Sequence, residues 1–149
     1  MPITATTPLL NVAEINRSAA FYRLLGFEVV ARTLSEQDGE AVWVMMQAET
    51  PEGQDHPVRL MLAAHGGVSH EERRMRPPFA GLVLYLECDD APGLFQTLHD
   101  AGYKPEPVVE LENGGLQFFV RDPDGYEVAL TSPGGPDHQE DHQQDDQTQ

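Results

Sequence analysis

The sequence predicts an α+β fold made of two tandem βαβββ modules, and three observations predict it. A helical stripe closed by glycine occurs twice, ending at Gly26 and again at Gly102. Apolar runs of strand length surround each stripe in the same order. A single offset of 76 residues superposes three separate segments: Gly26-Phe27 on Gly102-Tyr103, Thr7–Glu14 on Val83–Asp90, and Gly39–Met46 on Gly115–Asp122. One offset serving three segments marks an internal duplication.

The elements follow in order. Module one, about residues 5–64, opens with the apolar run Thr6–Val12. A helix follows, with Ile15, Ala19, Phe21, Tyr22, Leu24 and Leu25 on one broad face. Phe27–Arg32 and Ala41–Met46 read as strands around the Gln37-Asp38-Gly39 turn; after a polar loop, Val58–Ala63 is the fourth. Module two, about residues 81–132, repeats this from Leu82–Cys88. Its helix is opened by Asp89-Asp90-Ala91-Pro92, a proline position that costs nothing because the first amides need no partner. Leu94, Phe95, Leu98 and Ala101 form its stripe. The last hairpin turns at Asp122-Pro123-Asp124-Gly125, where proline presets φ, aspartate bonds nearby backbone and glycine accepts positive φ. Only this hairpin breaks the offset: Met61 corresponds to Ala129 at 68, so module one carries eight extra loop residues. Residues 65–80, with Arg73, Arg74 and Arg76, read as the linker inside one domain spanning 1–132.

Composition narrows the partners. From Pro133 to Gln149 there is no large apolar residue, so this acidic segment is expected to be a disordered tail. His138 and His142 within it read as solvated side chains. The net charge is −16, from 9 Lys and Arg against 25 Asp and Glu; without the tail's five acids the rest carries −11. Such a balance argues against nucleic acid, which needs a cationic face, and against an anionic membrane surface. It would draw in cationic small molecules, although excess acid more often serves solubility; the ligand expected is small and either hydrophobic or cationic. The single cysteine, Cys88, excludes an internal disulfide and a multi-cysteine zinc cluster. It reads as an inert buried thiol. With no signal peptide or apolar run near 18 residues, the expected location is cytoplasmic. No nucleophile triad, phosphate loop or dinucleotide fingerprint occurs.

The repeat, the Ser-x-x-Phe-Tyr-x-x-Leu-Gly-Phe segment from Ser18 to Phe27 and the Phe-x-x-Asp-Pro-Asp-Gly hairpin from Phe119 to Gly125 together resemble the vicinal oxygen chelate superfamily, over about residues 5–132. That group includes glyoxalases, bleomycin-resistance proteins, fosfomycin-resistance enzymes and extradiol dioxygenases. The resemblance implies sheets curled into an open barrel with helices outside, and a cavity between the sheets for metal and substrate. Metal-using members place ligands, usually His or Gln, Glu, His and Glu, on the first and last strand of each module. Carried onto this chain, those positions are Thr7, Met61, Val83 and Ala129, none a useful donor for a divalent ion. The expectation is therefore no metal and no other cofactor. Glu87 and Glu127 have the parity to reach the cavity or its rim, while His56, His65, His70 and His99 fall in loops or on a helix.

Alternation assigns the faces. Leu84, Leu86 and Cys88, with Val42, Val44, Phe118 and Val120, are expected to pack against the helices. The opposite set, Thr7, Leu9, Trp43, Met45, Met61, Val83, Tyr85, Phe119, Arg121 and Ala129, is expected to bind ligand. Trp43 and Phe119 either line a pocket or fill a collapsed core. Arg121 either meets ligand or pairs with the turn acids. No catalytic residue is assigned, and the chain reads more readily as a binding protein than as an enzyme. The expectation is a metal-independent small-molecule binder, an antibiotic being one possible ligand, resembling the bleomycin-resistance branch and pairing as a homodimer. The alternative is a glyoxalase- or dioxygenase-type lyase, isomerase or oxidoreductase with non-standard metal ligands.

Overall fold

The computed structural model describes residues 1–64, 75 and 81–134. The linker reading, Met75 apart, and the tail reading beyond Gly134 lie outside the described residues. The chain divides into two compact units, Met1–Ala80 and Gly81–Gln149.

The first unit runs β1 (Leu9–Asn11), α1 (Ile15–Leu24), β2 (Phe27–Leu34), β3 (Ala41–Ala48) and β4 (Arg59–Ala63). Its open four-stranded sheet has the order β1-β4-β3-β2, with β1 parallel to β4 and the other pairs antiparallel. α1 buries Ile15, Ser18, Ala19, Phe21 and Tyr22. The small Ser18 and Ala19 leave room for the sheet, while the Tyr22 ring sits edge-on to Phe21 at 5.0 Å and to Phe27 at 6.2 Å. Beneath the helix lie Leu10, Val44, Met46, Leu60 and Leu62, all 0–3% exposed.

The second unit runs β5 (Val83–Glu87), α2 (Ala91–Asp100), β6 (Val109–Glu110), β7 (Leu116–Arg121) and β8 (Glu127–Ser132). Its sheet order, β5-β8-β7-β6, repeats the first, again with one parallel pair, β5 to β8. α2 is capped by the Asp90 carboxylate, which accepts from the Gly93 amide at 3.1 Å. Ser132 Oγ accepts from the Ala91 amide at 2.9 Å and ties the helix start to the end of β8. Phe95 of α2 meets Phe118 of β7 edge to face at 5.6 Å, so the Phe118 side of the sheet is the helix-covered side. Both helices end as read, the amides of Gly26 and Gly102 closing the last turn at φ 99 and φ 94. Among the described residues the fold is thus α+β, two helices of ten residues each with two four-stranded mixed sheets. No helix among the described residues is long and apolar enough to cross a membrane.

Several expectations are corrected. β1 does not begin at Thr6. Pro8 has no amide to donate, so the ladder starts with its carbonyl, which accepts from the Met61 amide at 2.8 Å, and Thr7 precedes the strand. β6 has only two residues, because Pro105 and Pro107 remove donors from the segment matching β2. The 76-residue offset holds for β1 against β5 but becomes 74 for β3 against β7, since Met45 and Phe119 occupy equivalent places opposite Met61 and Ala129. A slip of two keeps every side chain on its face. Val42, assigned to the helix-covered side with Val44, is 36% exposed at the start of β3.

Candidate functional site

Each sheet turns one face to its helix, and the opposite face of each unit, where the candidate residues were expected, can be built row by row from the strand register. In the first unit, Leu9, Met61, Met45 and Ala31 are successive partners across the four strands. The next row is Asn11, Ala63, Trp43 and Thr33. Leu9 is 44% exposed, while Met45, Met61, Trp43 and Thr7 are half-buried. One step the other way, Arg59 Nε donates to Gln47 Oε1 at 2.9 Å.

In the second unit the middle row is Tyr85, Ala129 and Phe119. Tyr85 and Phe119 stand on strands either side of β8, about 9.6 Å apart at the backbone. Their rings nevertheless close to 6.3 Å, at 82°. Ala129, lying between their strands, makes this possible: a methyl group leaves space for two rings to lean inward, and it is 0% exposed. One flanking row is Val83, Glu127 and Arg121; the other is Glu87, Thr131 and Gln117. Thr131 donates to Gln117 Oε1 at 3.0 Å.

The turn after β7 is what holds Arg121 and Glu127 opposite one another. Asp122, 4% exposed, accepts from the amides of Asp124 and Tyr126 on the same Oδ1, each at 2.9 Å. Its carbonyl accepts from Gly125, which sits at φ 94, and its amide donates to the Tyr126 carbonyl. The Asp-Pro-Asp-Gly reading is thereby realised.

The residues expected to bind ligand share one face in each unit, with Thr7 just outside its strand. Sequence reasoning missed the Gln47–Arg59 and Gln117–Thr131 pairs. Parity was the available sign: Gln117 and Thr131 lie two residues from Phe119 and Ala129. Glu87 and Glu127 lie on the Tyr85 face, as their parity indicated. Cys88 is half-buried, and burial pushes its thiol above the ordinary value of 9.0; a backbone hydrogen bond from Asp90 partly offsets this, and the charges of Asp89 and Asp90 add to it. A separate half-open recess of about 270 Å³ lies at the start of α1, lined by Ala13, Glu14, Ile15, Asn16, Glu40, Ala41 and Ala64. It has no aromatic wall.

The positions that the superfamily resemblance assigns to metal ligands supply a hydroxyl, a thioether, an isopropyl and a methyl group. These do not fit a divalent ion, which is held by imidazole, carboxylate or thiolate. Among the described residues no three of His, Cys, Asp or Glu come together as a metal would require.

Comparison with known proteins places the fold. Residues 4–130 match the model of the Glyoxalase/Bleomycin resistance protein/Dioxygenase superfamily. No curated protein sequence matches significantly. Among solved structures, a bleomycin resistance determinant encoded on the transposon Tn5 is similar at 22% identity and TM-score 0.60, over 88% of this chain and 98% of its own. A bleomycin-binding protein complexed with bleomycin is similar at 22% identity and TM-score 0.57, over 87% and 98%. An antibiotic binding protein from Streptomyces sp. CB03234 is similar at 23% identity and TM-score 0.64, over 90% and 99%. Identities this low speak for the fold alone. With the family model spanning both modules, the chain belongs to the Glyoxalase/Bleomycin resistance protein/Dioxygenase superfamily.

Proposed function

We propose that this protein binds a small organic molecule without a metal, as a homodimer, in a role like that of the bleomycin-resistance proteins, with an antibiotic as one candidate ligand. The observation that carries the reading is the occupant of the last-strand position in each unit. Where metal-using relatives carry a carboxylate, Met61 sits in a row with Leu9 and Met45, and Ala129 sits between Tyr85 and Phe119. The first row is apolar and the second apolar and aromatic, each with few polar groups, the usual make-up of a small-molecule site. The bleomycin-binding and antibiotic-binding relatives support the same reading.

Thermal unfolding of metal-stripped protein tests it, with bleomycin and a panel of aromatic antibiotics in one arm and Mn, Fe, Ni and Zn salts in the other. A ligand at 100 times its dissociation constant adds about 2.7 kcal/mol, a clear rise in the midpoint. A rise with an organic compound and none with metals is the expected outcome. A rise with a stoichiometric metal overturns metal independence, and no rise in either arm removes the binding role.

A further inference from the structure

The Tyr85 face is unequal in its charge. Tyr85 is 66% exposed, more than any other aromatic residue among those described. Its ring is held in place by Phe119. Carboxylates stand on both sides of it, Glu87 two residues along β5 and Glu127 on the adjacent strand opposite Val83. Glu127 has a counter-charge in its own row, because Arg121 is its Cα partner on β7. Glu87 has none. Thr131 and Gln117, the next residues in its row, are bonded to each other. The wider unit adds to the imbalance, since residues 81–134 hold ten carboxylates against Lys104 and Arg121.

We propose that Tyr85 and Glu87 form a seat for an organic cation, specifically an alkylated ammonium group carried by the ligand. This deepens the binding reading above and rests on it. An aromatic face attracts cations through its quadrupole. Side chains two apart on a strand are about 7 Å from one another, so one small ammonium group can touch both the Tyr85 ring and the Glu87 carboxylate. A primary ammonium gives up strong hydration to reach so open a ring. An alkylated ammonium is weakly hydrated, and its apolar shell suits the neighbouring Val83, 37% exposed, and the half-buried Phe119.

The test is a titration of the isotope-labelled full chain followed by nuclear magnetic resonance, using three probes at millimolar concentration. These are choline, its neutral isostere with tert-butyl in place of trimethylammonium, and benzyl alcohol. Choline is expected to move the resonances of Tyr85 and Glu87 while the isostere leaves them in place. Tyr85→Leu should weaken choline about fivefold and Tyr85→Phe less than twofold. Glu87→Gln should weaken it about threefold and flatten its dependence on salt. Both side chains are exposed, so the variants keep the fold. If the isostere or benzyl alcohol moves the same residues as strongly as choline, the cation seat is wrong and small-molecule binding stands. If no probe moves them, the seat is wrong, and the melting experiment alone decides the binding reading.

Discussion

Replacing Asp122 with alanine removes one carboxylate oxygen on which the last hairpin turns. That oxygen accepts from the amides of Asp124 and Tyr126 at 2.9 Å each, in a side chain 4% exposed. A hydrogen bond to a charged group contributes about 1.5–3 kcal/mol, and two bonds sharing one oxygen add less than twice that. The expected loss is about 3 kcal/mol, a large part of the 5–15 kcal/mol typical of a domain. Asp122→Asn keeps a neutral acceptor at the same place and should lose about half as much. Urea unfolding of both variants, followed by far-ultraviolet circular dichroism, measures this as a midpoint shift of roughly 1–2 M. Trp43, the single tryptophan, lies in the other unit. Its fluorescence therefore reports in the same samples whether the loss is felt beyond the unit that carries the turn. A change under 0.5 kcal/mol for Asp122→Ala, or an asparagine variant no more stable than the alanine one, would refute the reasoning.

Further substitutions address other parts of the fold. Phe118→Ala should cost about 3–5 kcal/mol, because Phe118 is 1% exposed and packed on Phe95; Phe119→Ala, on the half-buried face, should cost clearly less, and denaturant melts rank the two. Ala129→Glu, which restores the carboxylate common in metal-using relatives, should destabilise by several kcal/mol and confer no metal binding in calorimetry, since it forces apart the Tyr85 and Phe119 rings and buries a charge. Gly93→Ala should not bring the stabilisation of about 1 kcal/mol usual inside a helix, because its Cβ would collide with the Asp90 carboxylate and expel the cap; in an Asp90→Ala background the same change should stabilise, a sign reversal that a double-mutant cycle reads. Cys88 should react with a disulfide reagent at pH 8 more slowly than free cysteine, since its raised pKa lowers the thiolate fraction. The matching effect on stability is flat below 9.0, where the unfolded thiol is still protonated, and becomes a loss as pH climbs from there through the folded value.

Much of this was legible in the residues because strand chemistry is periodic. The alternation of Phe118 with Phe119 assigned opposite faces correctly, and the Phe95 contact shows which face carries the helix. The Asp-Pro-Asp-Gly turn was legible because each residue has a local reason to be there. What escaped depends on neighbours distant in sequence. The start of β1 is decided by the bond from Met61 to Pro8 and not by the apolar run around it. The two-residue slip between β3 and β7 is fixed by pairing with β4 and β8. The lean of Tyr85 and Phe119 over Ala129 depends on a side chain's small size on a third strand.

The strand order has a consequence for how the chain is made. In each unit the last strand to emerge is an inner one: β4 lies between β1 and β3, and β8 between β5 and β7. Until residues 127–132 are synthesised, β5 lacks the strand it pairs with in its own sheet, although β7 and β6 can already form a hairpin. Each sheet is therefore completed by threading its final strand between two waiting partners, a long-range step of the kind that slows folding. A ribosome stalled just before β8 would hold β5 as an open ribbon, and that ribbon bears the tyrosine on which the proposed cation seat depends.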